Sequence, residues 1–395
     1  MTLRKFLLGC NTSLFVLLLN FQFFKYNLVF QIFLAWVIFL IPLYHNSFCK
    51  IFLKNKKIII YSTIWILPLI ISSFYSKDII YGLKQVQKSL LLLIFPVVIF
   101  SLPKEAINRF FKLTIKFFPI STLFFIAYIY IKLLFFWYDP YLIQYGKPNT
   151  FEYIQFVYNH RFSYLLEGSD LKVVYQFVHK AYISIFILIS ILLVDKWRNK
   201  YLKVFLQLTF FLLLVLFKGK TQIFIGGFLF IFLVCKLLNN QKIIIYIYGG
   251  LLLLALVNIK LITDTKGYSN RLEVAKCSKE IVIKNLFFGV GIGDVQKKLN
   301  NCYEEKLLKE TNNLNTHNYY MHILISSGIL GLLFFAYSFL NLIKISFSGS
   351  KDFFIILFII LFSLIFENLF VRMWGCISYG LFGNLILSYK MNNSL

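Results

Sequence analysis

The stretch NTHNYYMHILISSGILG, residues 315–331, places an imidazole, His317, where a polar loop runs into an apolar segment. Imidazole is the side chain best suited to take or give a proton near neutral pH, so the first chemistry to consider is that of a general base. Thr316 or Asn315 could cap a helix that starts there, which would put His317 in its first turn and facing the polar loop. The plainer alternative is a histidine that hydrogen-bonds at a membrane interface. His322 lies five positions on, about 140° around a helix. The two are therefore not the i, i+4 pair that holds a metal on a helix face.

Cations at unusual positions form the second group. NRLEVAK carries Arg271 at the start of an amphipathic segment, LFKGKTQIF carries Lys218 and Lys220 in a tight turn, and ENLFVRMWG carries Glu367 and Arg372. Each has a plain reading. Arg372 could pair with Glu367, Lys218 could snorkel to headgroups, and Arg271 could open a solvated helix. Together they would make an anion site, and guanidinium groups suit phosphate oxygens because they bind them in pairs. In FFGVGIGDVQ, residues 287–296, the glycines Gly289, Gly291 and Gly293 allow a tight turn, with Asp294 placed to cap the next helix. A dinucleotide reading would need a βαβ unit, which the flanking helical patterns do not offer.

The elements that must position these residues are apolar helices. Of 395 residues, 59% are hydrophobic, against about 45–50% in soluble domains, and the mean hydropathy is +0.75. Apolar runs long enough to cross a bilayer recur along the chain. The first follows Arg4-Lys5 like a signal sequence, but no small-residue cleavage site follows, so it reads as a retained helix. The expectation is an all-α polytopic membrane protein with about twelve spans. They fall near 6–24, 27–44, 58–75, 87–102 (interrupted by Pro96), 115–137, 180–195, 201–217, 221–238, 242–259, 318–343, 352–370 and 375–390. The formal charge of +25 then marks cytoplasmic loops and not nucleic-acid binding.

Lys and Arg cluster in alternate short loops, so both termini are expected in the cytoplasm. The long polar segments, 138–179 and 260–317, then share the outer face. They divide the chain into helices at 1–137, a first long periplasmic loop at 138–179, helices at 180–259, a large helical periplasmic loop at 260–317, and helices at 318–395. Cys277 and Cys302 fall in one polar loop. They are a disulfide if that loop lies in an oxidising space, or two thiols. No D-x-D, zinc or P-loop pattern is present, and the turn between the first two runs carries no acid. Any transfer chemistry is therefore expected to need no metal and no cofactor.

These motifs resemble the O-antigen ligase and O-antigen polymerase superfamily of bacterial envelope proteins. The densest match is SNRLEVAKCSKEIVIKNLFFGVGIGDVQ followed by NTHNYYMHILISSGILGLLFF. His317 and Gly328 fit the ligase signature of a histidine and a glycine eleven positions apart, and Gly331 follows it. VHKAYISIF resembles a family helix start at His179 and Tyr182. FKGKTQIF resembles a turn where Lys220 replaces the usual arginine, and ENLFVRMWG matches at Glu367, Arg372 and Gly375. Such a lysine keeps the charge but loses the paired geometry.

The resemblance implies a GT-C-like inverting glycosyltransferase of the bacterial inner membrane with its site facing the periplasm. It implies a glycan donor on polyprenyl (undecaprenyl) diphosphate, and as acceptor a lipid A core sugar or another glycan. It implies catalytic roles for His317 and Arg271, and diphosphate or glycan contacts from Lys218, Lys220, Arg372, Arg161, His179 and Tyr182. Gly289, Gly291, Gly293, Asp294, Gly328, Gly331 and Glu367 would be structural. A polysaccharide or lipid-carrier transporter is the reading from another class, and it should show two similar halves, which this sequence lacks. A degenerate member that only scaffolds an assembly complex is the third.

Overall fold

The computed structural model describes residues 47–145, 152–153, 155, 180–217, 220–238, 266–308, 311 and 313–393, and these contain helices and no strand. Four stretches are long and apolar enough to cross a bilayer: α1 (Ser47–Phe74), α2 (Ile79–Ser101), the first part of α3 (to Ile131) and Tyr319–Phe347. Helix α3 as a whole is Lys104–Tyr145, running past 137, where its span was expected to end. The helices that follow are α4 (Lys180–Val194), α5 (Lys200–Leu216) and α6 (Lys220–Leu238). Two more, α7 (Lys266–Lys284) and α8 (Val295–Glu305), form a polar lobe. The chain closes with α9 (Tyr319–Gly349), α10 (Lys351–Phe366), α11 (Met373–Ile377) and α12 (Asn384–Asn393).

The expected count of twelve spans is not carried by this architecture. The runs at 6–24, 27–44 and 242–259 lie outside the described residues. The runs at 180–195 and 375–390 are helices enclosed by others: every residue from 181 to 195 and from 373 to 388 is buried. A helix apolar all round is a core helix as readily as a span, and hydropathy alone does not separate the two. The interruption expected at Pro96 is also absent. Pro96 lies inside the helix Leu91–Ser101, and the irregularity falls at Leu90.

The largest departure is in α9. Gly328 has φ +66° and ψ −162°, which no helix contains. Along a straight helix Tyr320 and Phe335 would be about 22 Å apart, yet their ring centroids are 5.6 Å apart. The segment is a hairpin of two helical arms, 319–327 and 329–349, folded back on each other at Gly328. A Cβ on Gly331, in the second arm, would sit 3.1 Å from Ile323 Cγ2 in the first. The expected span at 318–343 is therefore corrected. Only the second arm, about 30 Å long by helix rise, can cross a bilayer.

The break leaves backbone groups without helical partners, and the glycine turn of the lobe supplies them. Val290 N–H donates to Ile325 O (2.8 Å), Gly291 N–H to Ser326 O (3.0 Å), and Ile329 N–H to Leu286 O (2.8 Å). Gly289 and Gly291 have φ of +72° and +91°, as the turn was expected to require. A Cβ at Gly289 would meet the 325–327 backbone at 2.6 Å. Asp294 does not cap α8 with its side chain. Its carboxylate is buried and accepts from the backbone N–H groups of Lys77 (2.6 Å) and Asp78 (3.2 Å), at the start of α2. The orphan donors of a neighbouring helix outcompete those of its own.

Candidate functional site

The polar lobe is built to hold a short segment still. A disulfide joins Cys277 of α7 to Cys302 of α8. Closing a loop of that size removes about 3 kcal/mol of chain entropy from the unfolded state. Val274, Ile281, Leu299 and Tyr303 pack around it, together with Ile325 from the first arm of the hairpin. Lobe and hairpin thus share one small core. Tyr303 OH and Gln296 Nε2 both donate to Leu314 O, at 3.2 and 3.1 Å, which fixes the approach to His317. Burial pushes the Tyr303 phenol well above its usual range, so it stays a donor.

His317 is not in the first turn of the helix. Asn318 is the N-cap, its Oδ1 accepting from Met321 N–H at 3.1 Å. His317 precedes it in the left-handed region, with φ +47°. Asn315 Oδ1 accepts the His317 N–H at 2.9 Å, an Asx turn that offsets part of the strain. Thr316 is buried and faces away from the helix: Asn368 Nδ2 donates to its Oγ1 at 2.7 Å, and the hydroxyl donates to Asn318 O at 2.9 Å. The residue types expected to cap are thus at hand, with their roles moved along the chain.

The Thr316–Asn368 bond joins the start of the hairpin to the end of α10. One position along each segment, His317 and Glu367 face one another, with His317 Nδ1 3.8 Å from Glu367 Oε2. The other carboxylate oxygen, Oε1, meets Arg271 Nη2 of α7 at 3.4 Å. Three elements far apart in sequence therefore bring a guanidinium, a carboxylate and an imidazole together. The side chain of Arg271 is 45% exposed, that of His317 23% and that of Glu367 16%, so the cluster opens toward the Arg271 side. Beneath it lies an aromatic plug. Trp65 of α1, itself buried, contacts Tyr319, Phe335, Phe339 and Phe370 at 5.3–6.3 Å between centroids. Such contacts fix the relative positions of α1, both arms and the turn after Glu367.

The remaining candidates fall as follows. Arg372 is exposed, five positions beyond Glu367, next to a short helical turn at Leu369–Val371. Lys88 of α2 is near enough to feel its charge, a neighbour the sequence did not single out. Tyr182 is buried in the main core. Arg161, His179 and Lys218 lie outside the described residues, and so does the side chain of Lys220, whose backbone opens α6. Sequence reasoning gave Glu367 a structural place only. Its signal was an acid at the end of an apolar run, and its partners are 96 and 50 positions away.

Apolar helices of bilayer length under a disulfide-locked polar lobe define a helical membrane protein. Residues 173–336 match the family model described as O-antigen ligase. The matched stretch includes Arg271, His317 and Gly328 and ends before Glu367. No curated protein matches the chain.

Proposed function

We propose that this protein is a membrane glycosyltransferase of the ligase and polymerase type. It moves a glycan from a polyprenyl (undecaprenyl) diphosphate to a sugar hydroxyl at the periplasmic face of the inner membrane. The acceptor is a lipid A core sugar in a ligase, or a second lipid-linked repeat in a polymerase. The observation that carries the reading is the convergence of Arg271 and His317 on Glu367, each within 4 Å of its carboxylate, inside or beside the matched stretch. The disulfide supports the orientation, because such bonds persist in oxidising spaces such as the periplasm.

In this reading His317 takes the proton of the acceptor hydroxyl. The oxygen attacks the anomeric carbon from the face opposite the diphosphate, inverting it, and the diphosphate leaves with the bonding electron pair. Arg271 offsets the charge on the leaving group without a metal, and Lys218, Lys220 and Arg372 are the further cations assigned to that role in this reading. Base catalysis of this kind contributes about 10²–10⁴-fold. The test is His317→Ala in a strain whose surface polysaccharide is resolved on a gel. Loss of the ladder at normal protein level is expected, and an unchanged ladder removes His317 from the mechanism. Transfer by the purified protein from an undecaprenyl-diphosphate oligosaccharide, with no energy source, separates this reading from a transporter.

A further inference from the structure

We propose that Glu367 is a positioning residue for His317: it holds the imidazole with its proton on Nδ1, leaving Nε2 bare to accept the hydroxyl proton. This rests on the reading of His317 as the base. Nδ1 is shut off from solvent and has no hydrogen-bond partner among the described residues, while the ring as a whole keeps 23% of its surface. The open edge is the one that carries Nε2. A buried N–H left unpaired costs about 1–3 kcal/mol, and the carboxylate 3.8 Å away is placed to relieve it. An ionised carboxylate only accepts, so the nitrogen it faces is the one that bears hydrogen.

The pairing is held from both sides. His317 is fixed in the left-handed region by Asn315, and Glu367 N–H donates to Ser363 O at 3.0 Å as α10 ends. The adjacent Thr316–Asn368 bond sets the two segments in register. Arg271 holds the far oxygen, Oε1, and so turns Oε2 toward the ring. When the acceptor proton arrives on Nε2, the imidazolium has one N–H toward the new glycosidic oxygen and one toward Glu367. The carboxylate stabilises that cation and takes no proton itself, as in the histidine–aspartate pairs of hydrolases.

The test is nitrogen NMR of the full chain in detergent, with ¹⁵N-labelled histidine, at a pH where the rings are neutral. His317→Gln identifies the His317 signals by their loss. The expected result is a protonated Nδ1 and an unprotonated Nε2, with Glu367→Asp keeping that pattern and Glu367→Gln shifting it toward the other tautomer. A wild-type proton on Nε2 overturns the proposal, as does a pattern that Glu367→Gln leaves unmoved. If Glu367→Gln does not fold, the wild-type tautomer alone decides. No substrate enters this measurement, so it stands apart from success or failure of the transfer reaction. Where transfer is measurable, Glu367→Gln should lower kcat on the order of 10²-fold or more and leave KM nearly unchanged.

Discussion

Gly328 is where one residue decides the shape of the site. Its φ of +66° with ψ of −162° is open to glycine and closed to side-chain-bearing residues. A Cβ there would lie 2.2 Å from Phe287 O. Gly328→Ala should therefore cost about 2–3 kcal/mol, seen as a lower melting temperature in detergent. Gly349→Ala, where a Cβ meets nothing within 4 Å, is the matched control and should change little. At this scale the sequence is informative about type and silent about company. Arg271, His317 and Glu367 stand out because ionisable groups beside apolar runs need a reason. That the carboxylate belongs to the other two was not legible, since nothing in a linear pattern joins positions 271, 317 and 367.

Among the elements, the lobe shows how its charges report on its fold. Lys306 hydrogen-bonds Glu280 across from α8 to α7, and that bond holds the Glu280 carboxyl below its usual range, helped by the charge of Lys306 and Lys284. A carboxyl with a lowered folded pKa adds stability above its unfolded pKa, near 4.3. That contribution is lost as pH falls through the lower folded value. Melting the protein between pH 6 and pH 3 should show a decline that Glu280→Gln reduces, by a small amount because the pair is exposed. Helices and their apolar faces were legible from periodicity, and so were the positive-φ glycines of the 289–291 turn. The hairpin was not. Residues 319–349 keep one helical pattern throughout, and the break exists because the turn at 286–291 offers partners for the groups it frees.

Across the whole molecule, charge gathers at the two ends of α10. Glu367 marks the end at the site. At the other, about 24 Å away by helix rise, Asp352 meets Lys196 at 2.8 Å and Lys390 at 3.4 Å, while Asp195 meets Lys203 at 3.6 Å. These bonds tie α4 and α5 to α10 and α12. Asp352→Asn should lower stability by about 1–3 kcal/mol, read by thermal melting, and leave glycan transfer per folded molecule unchanged. Helical membrane character was evident from composition, but the number of spans was not, because enclosed helices such as α4 are as apolar as spans. The hairpin also divides the surroundings of its two arms. An apolar helix of about twenty residues is long enough to cross a bilayer, and the second arm of the hairpin is that long. The first arm, residues 319–327, is about 14 Å long by helix rise, too short to cross, and its end is bonded to the glycine turn of the lobe. His317 therefore stands at the head of the arm that answers to the lobe, and the segment that answers to lipid begins only beyond the break.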